Sequence, residues 1–326
     1  MGKRLEGRVA IVTGAGRGIG RSVALLMAEE GASVVVNDLG GTVDGTGASS
    51  GPAEEVAKEI RDAGGTAIAS IESVAEFDTA GKTVQMAIDN FGRVDALCHV
   101  AGILRDRMVF NMTEEEWDGV LQVHLYGAFN MVRNVVPHMI DQKYGRIVLF
   151  SSGSGLGASG QANYAAAKEG MVGFTRALTR ELAQFGITVN AVYPGANTRM
   201  AATVPESTRQ LRQQMAAAAA AAATGTGGDE APSMIQTRVR DQEPEEAGEA
   251  GNNAPKAVYL CTEAGGSITG QVIGTSGWPM TLYSPRHVVK SIHKNGRWTL
   301  DELDDLIPIS LAAGLVNPVP PQPPRQ

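Results

Sequence analysis

Tyr164 and Lys168 stand four residues apart, behind a loop that opens on Ser151 and Ser152. On a helix that spacing puts a phenol and an ammonium group on one face. A phenol with its ordinary pKa of about 10 is a poor base at neutral pH. A fixed ammonium beside it favours the phenolate. A serine hydroxyl aimed at the same point would hold the oxygen of an alcohol or ketone. Together the three groups suit the transfer of a proton on and off a carbinol oxygen. A Tyr-x-x-x-Lys pair alone carries little weight, because such pairs are common on exposed helices. The elements around it decide its meaning.

The first of these is Arg8-Val-Ala-Ile-Val-Thr13, a short run rich in β-branched residues. It reads as a buried parallel strand. Gly14-Ala-Gly-Arg-Gly-Ile-Gly20 follows, then a helical pattern from Arg21 to Glu30 with a stop at Gly31. Strand, glycine turn and helix bring the backbone against a pyrophosphate, which the helix N-terminus stabilises. Gly14, Arg17, Gly18, Ile19 and Gly20 are the expected contacts. A second strand, Ser33 to Asp38, ends in a carboxylate eighteen residues after Gly20. Asp38 is placed to accept hydrogen bonds from the adenosine ribose and to repel a 2′-phosphate. NAD is therefore favoured over NADP. Arg17 is the counter-signal, since a basic residue in the glycine loop suits a 2′-phosphate.

Further along, Thr66 to Ile71 reads as a third strand, with Ser73 and Val74 at its carboxyl end where an adenine would lie. Val94 to Val100 is a fourth, closed by Ala101-Gly102. Thr113-Glu-Glu-Glu116 looks like a capping box opening one long helix to about Met139. Gly145 to Phe150 is a fifth strand that runs into the serine loop. Asn163 is read as the cap of the helix carrying Tyr164 and Lys168. Ile187 to Tyr193 and Gly270 to Thr275 are the sixth and seventh strands. This alternation predicts an α/β fold with a doubly wound seven-stranded parallel sheet, the Rossmann fold. Its helices lie on both faces, its strand order is 3-2-1-4-5-6-7, and ligands bind at the strands' carboxyl ends.

The chain has 326 residues, 43% of them hydrophobic, which suits a single catalytic domain over 1–277 with an extension over 278–326 packing on it. Residues 201–253 break the pattern. Eight alanines, 216–223, lead into 225–255, which holds seven acids and two bases. This segment reads as a flexible acidic insertion. A net charge of −7 gives no attraction to nucleic acid or an anionic membrane. Cys98 and Cys261 have no metal spacing, and neither His99 nor His124 has a second ligand nearby, so no metal is expected. With no signal peptide and no membrane-spanning run, the expected location is the cytoplasm.

Thr13-Gly-x-x-x-Gly-x-Gly20, the Ser–Tyr-x-x-x-Lys set and Asn190-x-x-x-Pro194-Gly195 together resemble the short-chain dehydrogenase/reductase superfamily. The resemblance covers roughly residues 5–200 and 254–277. Val36-Asn-Asp-Leu-Gly-Gly41, Ala101-Gly-Ile-Leu-Arg-Asp-Arg107, Val123-His-Leu125, Lys143 to Ile147 and Gly160-Gln-Ala-Asn-Tyr164 are more narrowly similar to the (3R)-hydroxyacyl-CoA dehydrogenase module of peroxisomal multifunctional enzyme type 2. The resemblance implies an NAD-dependent oxidation of a secondary alcohol, with a CoA thioester or a steroid- or lipid-derived molecule as substrate. A bulky free alcohol is the alternative substrate, and a non-catalytic nucleotide-binding protein the alternative of another class. By the same resemblance Tyr164 is the general base, and Lys168 binds the nicotinamide ribose and lowers the tyrosine pKa. His124 takes the relay position, Ala101, Gly102, Pro194, Gly195 and Thr198 border the cofactor, and residues 201–253 cover the substrate. Counting from the strand start makes Ser152 the catalytic serine; counting back from Tyr164 makes it Ser151. Where the family has two asparagines, this chain has His99-Val100. The family also implies a homodimer or homotetramer built on helices near 113–139 and 163–185, the second presenting Met171, Phe174 and Leu178.

Overall fold

Every residue of β1 (Val9–Thr13) is buried, which a strand achieves only inside a sheet covered on both faces. Successive side chains point to opposite faces, and they divide accordingly. Ala10 and Val12 join one core layer with Val34, Val36, Cys98, Val148 and Phe150. Val9 and Ile11 join the other with Val35, Leu97, Ile147 and Leu149. The first layer is closed by α1 (Gly18–Glu29), α2 (Gly51–Asp62) and α7 (Ala254–Tyr259), through residues such as Val23, Met27, Ile60 and Val258. The second is closed by α3 (Phe77–Phe91), α5 (Gly127–Gln142) and α6 (Ala162–Leu182), through Val84, Met131, Met139 and Met171.

The computed structural model describes residues 3–196 and 248–315. Thr198 and most of the expected substrate-covering segment lie outside them. The described residues fall into two compact units, residues 3–196 with 248–284, and residues 285–315. In the first unit the sheet continues through β2 (Ser33–Asn37), β3 (Thr66–Ser70), β4 (Ala96–His99), β5 (Gly145–Phe150), β6 (Ile187–Tyr193) and β7 (Val272–Gly274). These strands are parallel in the order 3-2-1-4-5-6-7, as expected. An eighth strand, β8 (Thr281–Leu282), adds antiparallel to β7 and was not foreseen. Two exposed residues carry no periodic signal. The second unit holds α8 (Leu300–Leu306), opened by a Thr299–Glu302 capping box and braced by Lys294 on Glu302 at 2.5 Å.

Two local expectations are corrected. The long helix from Thr113 is interrupted. α4 (Glu114–Leu121) does begin on the Thr113–Glu116 capping box, but Gln122–Tyr126 forms a wider π turn before α5. Asn163 is not the cap of α6. Gln161 takes the cap position, and Asn163 sits within the first turn. There its Oδ1 accepts from Tyr164 N at 2.7 Å, and its Nδ2 donates to Arg105 O and Glu116 O. The Met171, Phe174, Leu178 stripe is spent on the chain's own core: Met171 and Leu178 are buried there and Phe174 packs partly buried against them. No helix among the described residues is long and apolar enough to cross a membrane.

Candidate active site

Strand order reverses between β1 and β4, so their carboxyl ends splay a crevice open. Thr13 ties the two ends together. Its hydroxyl accepts from Val100 N at 3.1 Å and Ala101 N at 3.2 Å. With both acceptor positions used, its own proton goes to His99 Nδ1, 3.0 Å away. The neutral His99 ring therefore carries its hydrogen on Nε2. The glycine turn folds against this junction. Gly14 has φ +64°, and a Cβ there would come within 2.8 Å of the Ala101 backbone. Gly18, Ile19 and Gly20 form the first turn of α1, with the exposed Arg17 at its cap position.

Asp38 closes the adenosine side. One carboxylate oxygen accepts from Gly16 N at 2.8 Å and the other from Gly40 N at 2.7 Å, so the acid is locked onto the glycine turn. Val74 is buried, its carbonyl held by Asn130 Nδ2 at 2.9 Å, and Ser73 Oγ accepts from Ala75 N. At the other end, Gly195 is held both ways by Asn253. Gly195 N donates to Asn253 Oδ1 at 3.3 Å, and Asn253 Nδ2 donates to Gly195 O at 3.1 Å. Asn253 is fully buried and also takes the Thr275 hydroxyl at 2.8 Å. Sequence reasoning missed it, because it fell inside a segment read as flexible. Its one signal was an asparagine pair directly before the Ala254-Pro255 helix start.

The proton-transfer groups meet at the start of α6. Lys168 Nζ lies 5.5 Å from the centre of the Tyr164 ring and donates to Phe150 O at 2.5 Å. The two serines part company. Ser151 N turns back to Leu149 O, and its buried hydroxyl donates to Lys168 O at 2.6 Å. Ser152 is the serine that hydrogen-bonds Tyr164, and its Oγ also accepts from Ser154 N at 3.1 Å. The His124 ring stands edge-on to Tyr164, with centroids 5.1 Å apart. The π turn drives that ring inward until its Nε2 sits 3.1 Å from Ile103 N and 2.8 Å from Ile103 O. Only glycine fits at 102, since a Cβ there would be 2.1 Å from the imidazole.

Burial dominates the electrostatics. It pushes the Tyr164 phenol up to about 12; the Ser152 hydrogen bond opposes the rise and the Asp106 charge adds to it. It brings Lys168 down to about 7. In the protein alone, burial outweighs the lowering of the phenol that the ammonium was expected to give. Burial, and then the Lys168 charge, holds His99 down at about 3 and His124 well below its ordinary value. Both rings are therefore neutral at physiological pH. The tight glycine turn at a helix N-terminus, with a carboxylate at the end of β2, fits a nicotinamide dinucleotide. Among the described residues no three His, Cys, Asp or Glu side chains gather into a metal-binding cluster.

Residues 8–209 match the short chain dehydrogenase family. The chain belongs to that family. It is an oxidoreductase acting on CH–OH groups, in a family whose members bind nicotinamide cofactors. It is 49% identical over 198 residues to peroxisomal multifunctional enzyme type 2 of Drosophila melanogaster, covering 60% of this chain but only 33% of that enzyme. The expected likeness to the dehydrogenase module of that enzyme is thereby shown. It is 34% identical over 314 residues to a hydroxyacyl-CoA dehydrogenase of Mycobacterium tuberculosis, covering 92% of this chain and 87% of the relative. The crystal structure of a short chain dehydrogenase from Mycobacterium avium superposes with a TM-score of 0.76 at 36% identity, over 94% of this chain and 96% of the other.

Proposed function

We propose that the chain oxidises a secondary alcohol to a ketone with NAD, and that its substrate is a 3-hydroxyacyl-CoA or a related steroid- or lipid-derived thioester. The observation that carries this reading is the meeting of Tyr164, Ser152 and Lys168 at the mouth of the β1–β4 crevice. Ser152 holds the carbinol oxygen through the reaction. Tyr164 takes the hydroxyl proton as the carbon–hydrogen bond breaks. Lys168, one helical turn on, orients the ribose and favours the phenolate once charged. The glycine turn and Asp38 would hold NAD, which would supply the acceptor for the hydride leaving the carbinol carbon. His124 packs on the phenol and fixes its plane.

Asp38 supports NAD, since a 2′-phosphate beside that carboxylate would be repelled. The name of the hydroxyacyl-CoA dehydrogenase relative supports the substrate class. So does an apolar rim: Val109, Phe110 and Leu156 are 68%, 75% and 63% exposed on the two loops that flank Ser152 and Tyr164. The test is NAD reduction with 3-hydroxydecanoyl-CoA. Tyr164→Phe is expected to lose about 10²–10⁴-fold in kcat while still binding cofactor by fluorescence titration. Undiminished turnover in that variant would overturn the mechanism, and equal affinities for NAD and NADP would overturn the cofactor assignment.

A further inference from the structure

The loop after β4 runs along the start of α6 and is fastened there. Arg107 N donates to Gly160 O at 2.8 Å, Arg107 pairs with Gln161 as an isolated parallel bridge, and Asn163 Nδ2 donates to Arg105 O at 3.0 Å. Between these ties lies Asp106, whose Oδ2 accepts from Gln161 Nε2 at 2.8 Å. Gln161 is three residues ahead of Tyr164 and shares its side of the helix start. The loop's two guanidinium groups are turned elsewhere. Arg105 donates to Asp44 O at 3.0 Å and pairs with Glu115 at 3.4 Å; Arg107 pairs with Glu116 at 2.8 Å. The groups facing the phenol are thus Lys168 from its own helix, His124 from the π turn, Ser152 from the loop after β5, and Asp106. Asp106 is the anion among them, and its charge is felt at Tyr164.

We propose that Asp106 is a specificity-determining residue, whose carboxylate turns away substrates bearing a free carboxylate beside the carbinol and admits neutral esters and thioesters. The inference rests on the dehydrogenase reading above. With its carbinol oxygen at Tyr164, a free 3-hydroxy acid holds its own anion two bonds from the reacting carbon. In a partly buried site that brings two like charges together, a device for rejecting the wrong partner. Esterification removes the charge and leaves the reacting centre unchanged.

Methyl 3-hydroxydecanoate and free 3-hydroxydecanoate, assayed with NAD, isolate that charge without coenzyme A contacts. The native protein is expected to favour the ester by at least tenfold in kcat/KM. In Asp106→Asn, which keeps an acceptor for Gln161, the preference shrinks at least tenfold, and Asp106→Glu restores it. Because the Asp106 charge raises the phenol pKa, the rise of kcat/KM with pH also moves to lower pH in Asp106→Asn. A loop tether alone would move neither readout. Equal kcat/KM for acid and ester in the native protein overturns the proposal without any variant, as does an unchanged ratio in Asp106→Asn. Oxidation of neither compound, nor of 3-hydroxydecanoyl-CoA, removes the dehydrogenase reading itself.

Discussion

Lys168 shows what the site costs the fold. Its side chain is buried, and the ammonium is brought from 10.5 to about 7 by loss of water. Between those pH values the unfolded chain binds more protons than the folded one, so stability rises with pH across the window. The penalty is full below pH 7 and gone above 10.5. Lys168→Met is therefore expected to stabilise the protein at pH 6 by about 1–3 kcal/mol, even with the Phe150 carbonyl left unpaired. The gain should vanish near pH 10.5. Urea unfolding at both pH values checks this, and a variant less stable at pH 6 would show that the ammonium is not desolvated. The Tyr164–Lys168 pair was legible in the sequence because a four-residue spacing fixes a shared helix face whatever surrounds it. The choice between Ser151 and Ser152 was not. It depends on how the backbone turns at Leu149 and on which hydroxyl finds the Lys168 carbonyl, and neither leaves a mark in the order of residue types. Asp106 and Gln161 were quoted only as part of a resemblance, since nothing local says that a carboxylate 55 residues ahead of Gln161 reaches the start of α6.

At the scale of elements, the least expected feature is the π turn at Gln122–Tyr126. The apolar spacing from Thr113 to Met139 reads as one continuous helix, because a single widened turn shifts the pattern by one residue and leaves it helical on either side. Its consequence is chemical, since it presents His124 to both Ile103 and Tyr164. The other element hidden from the sequence is the hinge around Asn253. This side chain bonds Gly195 N, Gly195 O, Ala250 O and the Thr275 hydroxyl. It joins the loop after β6 to the start of α7 and the end of β7. Asn253→Ala would leave the buried Thr275 hydroxyl and the half-buried Gly195 and Ala250 backbone groups without this partner, and a cost of about 1–3 kcal/mol is expected. The urea midpoint measures it, and a shift worth less than about 0.5 kcal/mol would mean the loop repacks without the amide. Because Gly195 is fastened by the same residue, cofactor KM should rise in step with the lost stability.

Across the whole molecule, the sheet order was readable because each strand was a short apolar run, and the first six alternated with helices and turn residues. Six such units and a closing strand have few ways to pack with both faces covered. β8 escaped because a two-residue edge pairing is decided by the neighbour it meets. The same two-faced packing buries two imidazoles between layers, His99 on β4 and His124 ahead of α5, at 0% and 1% exposure. His99 titrates at about 3 in the folded chain and His124 well below its ordinary 6.5. Both pKa values are depressed, so the stabilisation they represent is complete above pH 6.5 and is lost as pH falls toward the folded values. Well below pH 6.5 each histidine should cost about 1.4 kcal/mol per pH unit. Below about pH 6.5 Lys168 is charged in both states, and down to about pH 5 few carboxylates titrate in either state, so the slope between those values belongs to histidine. Urea unfolding at pH 6.5, 6.0, 5.5 and 5.0 is expected to show a decline of a few kcal/mol, cut by more than half in a His99→Asn, His124→Asn double variant. Asparagine can keep one hydrogen bond at each position and carries no proton to gain. A double variant that loses stability with acid as steeply as the native chain would mean that water reaches the rings, and that the layers between which they lie are not closed.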